Sequence, residues 1–284
     1  MTADGSAAYA AAAHYRRAGS PPGGDRVPVL MLHGLGGDLN QLWPYADSDE
    51  SRLRLAPDLR AHGGTDLIGT DSAFTFDGMA DDVTALLDRL ELPSVIVVGM
   101  SMGAAIAVRM ALREAERVRG LVLIRPAWLD RPRPANLEPL VSIGELLRSA
   151  GREDGRERFV ASAHYQRIRD ESPAAAASLL GQFDAPHAVE RAGRLIGMPA
   201  STPFDTLEEL RRIEVATAVV AAPGDPQHPA EFASAWAEQI PDAQLSVVPR
   251  RDADPDGYHR AISAVVAVRI TSDLDAGRDD RGVR

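Results

Sequence analysis

Apolar residues fall along this chain in short unbroken runs that alternate with segments of helical periodicity. Residues 27–32 read Val-Pro-Val-Leu-Met-Leu and end in His33-Gly34, and residues 94–98 read Ser-Val-Ile-Val-Val. Continuous apolar runs of this length are the mark of strands buried on both faces. Shorter candidates lie at 53–56, 120–124, 215–221 and 245–248. Between the first runs, Met79, Val83, Leu86, Leu87 and Leu90 draw one apolar stripe along a helix over 74–92. Further helices are predicted over 102–114, 206–213, 229–239 and 255–270. Strands alternating with helices imply a mostly parallel β-sheet with helices on both faces.

The alternation breaks between 131 and 205. That stretch holds no convincing strand, only helical segments punctuated by Pro132, Pro134, Gly151, Pro173, Pro186 and Pro199. It reads as an inserted helical cap, which divides an α/β core into residues 1–130 and 206–284. Residues 271–284 are polar and rich in Asp, Arg and Gly, and read as a disordered tail. Ligands in open α/β sheets sit outside the carboxyl ends of the strands. The expected site therefore lies between core and cap.

Composition narrows the chemistry. With 31 basic and 41 acidic residues the net charge is −10, which gives no electrostatic footprint for nucleic acid or an anionic membrane. Cysteine is absent, and with it thiol nucleophiles, thiolate metal sites and disulfides. Lysine is absent as well, which excludes a Schiff base and the lysine of a phosphate loop. Residues 1–13 lack a basic n-region, and no run approaches the roughly 20 apolar residues of a membrane span. The expectation is a cytoplasmic protein that needs neither cofactor nor metal.

One motif stands in the context its chemistry requires. After the strand at 94–98 comes Gly99-Met100-Ser101-Met102-Gly103, a G-x-S-x-G turn, followed by an alanine-rich helix. Such a turn holds a serine at the end of a strand, and the following helix aims its free N–H groups and positive dipole end at the hydroxyl.

With this elbow the chain resembles the α/β-hydrolase superfamily over nearly its whole length. His33-Gly34-Leu35-Gly36-Gly37 is similar to that family's oxyanion loop. Residues 57–66, Pro-Asp-Leu-Arg-Ala-His-Gly-Gly-Thr-Asp, resemble its D-x-R-G-H-G-x-S-D segment, with Ala61 where a glycine is usual. Ala222-Pro-Gly-Asp-Pro-Gln-His-Pro229 resembles its acid-bearing loop. The resemblance implies Ser101 as nucleophile, Asp225 as the acid, and the N–H groups of Leu35 and Met102 as the oxyanion hole. His33 and His62 are read as shaping their turns. His14, His164 and His187 lie outside any motif.

The histidine of the triad departs from the family pattern. The segment 247–255 carries none, and the next is His259, inside the final helix if Asp254 caps it and Pro255 opens it. His259 is in the right chain order but several residues late, and it is taken as the base. His228, three residues after Asp225, is the other candidate, taken as a substrate contact. A third possibility is that no functional base remains. Arg125, at the end of the strand at 120–124, is read either as a ligand for a substrate carboxylate or as a structural partner of a core acid. Trp128 either walls the pocket or joins the core.

These readings predict a serine-dependent enzyme that hydrolyses an ester or thioester, or transfers an acyl group to another acceptor, through an acyl-Ser101 intermediate. The partner is a small acyl substrate, with no nucleic acid and no membrane. The alternatives are a catalytically impaired ligand-binding protein, or a cofactor-free lyase or oxygenase on the same scaffold.

Overall fold

The computed structural model describes residues 3–20, 26–45 and 52–279. In chain order the elements are α1 (Ala3–Ala12), β1 (Tyr15–Ala18), β2 (Val29–Leu32), β3 (Arg54–Pro57), α2 (Phe76–Arg89), β4 (Val95–Met100), α3 (Met102–Arg113) and β5 (Val118–Ile124). Four helices follow: α4 (Glu138–Ala161), α5 (Ala163–Glu171), α6 (Pro173–Asp184) and α7 (Gly193–Ala200). The chain then returns through β6 (Thr217–Ala221), α8 (Ala230–Gln239), β7 (Gln244–Val247) and α9 (Pro255–Asp279). Among the described residues no helix is long and apolar enough to cross a membrane.

The seven strands form one sheet in the order β1-β3-β2-β4-β5-β6-β7. Only β1 is antiparallel, paired to β3 from Tyr15 opposite Pro57 to Ala18 opposite Arg54. The parallel centre explains the unbroken apolar runs. Leu30, Leu32, Val97, Leu121 and Leu123 point to a core shared with Met79 and Val83 of α2 and Ile106 and Met110 of α3. Their neighbours Val29, Met31, Ile96, Val98, Val122 and Ile124 point the other way, against Tyr258, Ile262 and Val266 of α9. A strand of side-chain period two has no polar positions when both of its faces are covered.

Three details differ from the sequence expectation. The helix and edge strand at the start, α1 and β1, carry no legible period: α1 is mostly alanine, and Tyr15-Arg-Arg-Ala18 shows no alternation. Residues 207–212 form a 3-10 helix rather than an α-helix, opened by a capping box between Thr206 and Glu209. The expected interruption at Gly151 falls inside α4, where φ is +77°. The predicted tail is helical over 271–279, because α9 runs on to Asp279; residues 280–284 lie outside the described residues.

Candidate active site

The elbow explains its own glycines. A Cβ on Gly103 would lie 1.9 Å from the carbonyl oxygen of Leu32, and one on Gly99 would lie 2.3 Å from that of Gly103. α3 can therefore start this close to β2 and β4 only without side chains at both positions. Ser101 is held between them at φ +53°, ψ −112°, a left-handed backbone that costs a serine on the order of 1–3 kcal/mol. Its N–H donates to the Ile124 carbonyl at 2.8 Å, and its carbonyl accepts the first bond of α3 from the Ala105 N–H at 3.1 Å. The strain is offset by this anchoring at the carboxyl edge of the sheet.

The loop after β2 is built from buried polar contacts. The Gly34 N–H donates to Gln41 Oε1 at 2.7 Å. His33 Nδ1–H donates to the Gly34 carbonyl at 2.8 Å, and His33 Nε2 accepts the Leu59 N–H at 3.0 Å. Both ring nitrogens are engaged and burial pushes the imidazole pKa down, so His33 shapes the loop as a neutral ring. His62 is likewise buried and bonded to the Arg60 carbonyl at 2.8 Å, with burial and Arg194 holding its pKa well below the ordinary value. Asp58 ties the loops together, accepting the Leu39 N–H at 2.7 Å and the Gly64 N–H at 2.8 Å. Ala61, where the family motif has glycine, sits at φ +60°.

The histidine beside Ser101 is His228. Its Nε2 lies 2.9 Å from Ser101 Oγ, and its Nδ1 lies 3.1 Å from Asp225 Oδ2. The turn 225–228 makes this possible, with the His228 N–H donating to the Asp225 carbonyl at 3.1 Å and the Gln227 N–H to Asp225 Oδ1 at 3.0 Å. Burial, with the Arg125 cation, pushes the His228 pKa down, against the pull of Asp225. Burial pushes the Asp225 carboxyl up, but the His228 and Arg125 charges outweigh it and hold the group well below the usual carboxylate range.

The expectation that His259 meets Ser101 is corrected by this geometry. Asp254 does cap α9, its Oδ1 accepting the Gly257 N–H at 2.8 Å, so the helix begins at Pro255 as anticipated. That start fixes His259 in the helix, exposed, with its ring stacked on Tyr45 at 5.2 Å and 15°. It lines the mouth of the pocket, while His228, the other candidate and expected as a substrate contact, takes the position at the serine.

Arg125 follows the structural alternative. Left-handed at φ +52° and 8% exposed, it pairs with Asp225 Oδ2, donates to the Tyr258 hydroxyl at 3.0 Å, and approaches His228 Nδ1 at 2.7 Å. A guanidinium only donates. With Nδ1 protonated, its hydrogen goes to Asp225 and Nε2 is free to accept from Ser101. With Nδ1 bare, Arg125 fills it and Nε2 carries the proton toward the serine. Trp128 is a core residue, fully buried, edge-on to Phe76 at 5.1 Å and outside the pocket lining.

The pocket above Ser101 has a volume of about 160 Å³. It is lined by Leu35, Gln41, Tyr45 and His228 from the core, and by Leu137, Leu140, Ser178 and Gln182 from the helical stretch at 131–205. Tyr258, Gln41 and Gln182 had no motif to mark them. The adjacency of Tyr258 to His259 and the place of Gln41 seven residues after Gly34 were the only sequence signals.

A mostly parallel sheet, a strained serine between strand and helix, and an acid-bearing loop on the next-but-one strand are the layout of the α/β-hydrolase fold. A family model for the alpha/beta hydrolase fold matches residues 27–164. The chain has the α/β-hydrolase fold. It is 33% identical over 113 residues to a 2-hydroxymuconate semialdehyde hydrolase of Pseudomonas sp. (strain CF600), covering 38% of this chain and 40% of that protein. It is 34% identical over 104 residues to a dihydrolipoyllysine-residue acetyltransferase component of an acetoin cleaving system of Pseudomonas putida, covering 36% of this chain and 28% of the relative. The chain thus spans well under half the length of these curated relatives. Among solved structures, a thermophilic esterase from Thermogutta terrifontis superposes with a TM-score of 0.68 at 24% identity, over 90% of this chain and 93% of that one.

Proposed function

We propose that the protein is a serine-dependent acyl-transfer enzyme in which Ser101 is the nucleophile, His228 the base and Asp225 the acid that orients it. The observation that carries the reading is the continuous contact from Ser101 Oγ through the His228 ring to Asp225 Oδ2, at 2.9 and 3.1 Å, on a strained elbow. Ser101 Oγ attacks the acyl carbon as its proton passes to His228 Nε2. The carbonyl π electrons move onto oxygen, which accepts from the N–H groups of Leu35 and Met102; the latter has no intrahelical partner in the first turn of α3. Collapse breaks the bond to the leaving oxygen or sulfur, which takes the proton back from His228. Water or another acceptor then repeats the sequence on the acyl-Ser101.

His228 is suited to this role by the same groups that surround it. Its depressed pKa keeps it neutral, and so able to accept a proton, near neutral pH. A volume of about 160 Å³ is close to the roughly 150 Å³ that holds a benzene-sized group. The substrate is accordingly an ester or thioester of a small acyl group. The test is covalent labelling with a fluorophosphonate, read by peptide mass spectrometry. Ser101 should carry the label, and Ser101→Ala should lose both label and turnover of short-chain 4-nitrophenyl esters. Labelling that persists elsewhere in Ser101→Ala would overturn the assignment.

A further inference from the structure

Beside the serine pocket lies a second cleft of about 570 Å³, lined by Gly36 and Gly37 of the oxyanion loop and by Arg191 and Arg194. Arg194 is 2% exposed. Its Nη1 donates to the Arg191 carbonyl at 3.1 Å, its Nη2 reaches Gln182 Oε1 at 3.4 Å, and its Nε has no partner. No carboxylate bonds it among the described residues. Arg191, equally buried, gives its hydrogens to the carbonyls of Gly63 and Thr65 and to Asp66, a side chain 89% exposed.

The acids that line the cleft are already engaged. Asp58 accepts from His14 and two backbone N–H groups, Asp38 from the Asn40 N–H, and Asp184 faces Arg152 at 3.5 Å on the surface. The neighbouring rings of His33 and His62 are held neutral by burial. Burial and Arg191 push the Arg194 pKa down to about 10, so it still carries its charge near neutral pH. Arg194 itself is a buried cation that bonds no carboxylate among the described residues, which is costly, and the cost is recovered when an anion docks on it.

The cleft also communicates with the reaction centre. Gln41 lines both cavities. Gln182 lines the serine pocket, holds Arg194 from behind, and packs so tightly on Gly36 that a Cβ there would lie 2.0 Å from its amide. Two glutamine side chains form the partition between Ser101 and the arginines. We propose that Arg194 binds a carboxylate of the substrate, so that the preferred substrate is an ester or thioester whose acyl part carries a second, anionic carboxyl group. The Gln41 and Gln182 side chains make way for the chain that joins the two ends. This rests on the acyl-transfer reading above.

The test compares 4-nitrophenyl monoesters of succinic, glutaric and adipic acid with neutral 4-nitrophenyl esters of the same chain length. For the best-fitting length the wild type should favour the anionic ester by about 10- to 100-fold in kcat/KM, as a charge-assisted contact supplies. Arg194→Met should bring that ratio close to one, whatever happens to the neutral ester, and should melt no lower than wild type, since it removes an unpaired buried charge. Arg194→Lys should keep part of the preference. A ratio near one in the wild type, with neutral esters turned over through Ser101, would overturn the proposal and leave the acyl-transfer reading intact. Turnover of no ester would overturn both. A binding arm separates the sources of the anion. In Ser101→Ala, glutarate should raise the Tm and inorganic phosphate should not. Equal stabilisation by phosphate would make this a free-anion site and overturn the substrate assignment.

Discussion

Asp225→Asn should damage the protein twice, and the two injuries can be separated. Arg125 and Asp225 have side chains 8% and 13% exposed, so their ion pair is largely unscreened by solvent. Removing one partner of such a pair leaves a buried charge uncompensated, which costs about 3–5 kcal/mol. At roughly 2–4 °C per kcal/mol for a domain of this size, the Tm should fall by about 6–20 °C. The charge that steadies the His228 imidazolium is lost as well, so kcat should fall by about 10⁴. Adding Arg125→Gln removes the stranded cation. The double variant should recover most of the lost stability in urea denaturation and none of the lost rate. The gap between wild type and Asp225→Asn should also depend on pH. Because the folded carboxyl titrates below the unfolded one, its contribution is complete above the unfolded pKa of about 4 and disappears as pH falls further. A stable single variant, or a double variant with restored turnover, would refute the assigned geometry.

His228→Ala should lower kcat by about 10²–10⁴ in ester hydrolysis, whereas His259→Ala, at the pocket mouth, should change KM by a few-fold and kcat little; the reverse pattern would return the base to α9. The acid limb of the kcat/KM profile should lie below the usual histidine value and move up in Arg125→Gln, because both the cation and its hold on Asp225 are gone. A limb that stays put would remove Arg125 from the proton chemistry. Gly103→Ala should destabilise by at least about 3 kcal/mol in chemical denaturation, since its Cβ would sit 1.9 Å from the Leu32 oxygen and the strand cannot retreat. Wild-type stability in that variant would mean that the elbow is looser than described.

What the sequence by itself determined was whatever is written in local order. The apolar runs at 27–32 and 94–98 specify strands with both faces covered, and the glycines at 99 and 103 specify a turn that nothing larger can make. The proline-punctuated stretch at 131–205 accounts for the four consecutive helices α4 to α7, and Asp254 with Pro255 marks the start of α9 to the residue. The capping was itself the clue against His259, because a helix that starts at Pro255 carries residue 259 along its own axis. Only the tertiary structure decided which histidine meets the serine. Ser101 and His228 are 127 positions apart, and their 2.9 Å contact depends on how the turn after β6 closes beside β5. The same holds for Arg125, which could serve a substrate or an acid until the fold brought Asp225 to it from 100 positions away. Local patterns record backbone geometry, which each segment settles with its neighbours. Charge pairing across a sheet edge is settled by the position of loops from distant strands, and spacing along the chain carries no trace of it.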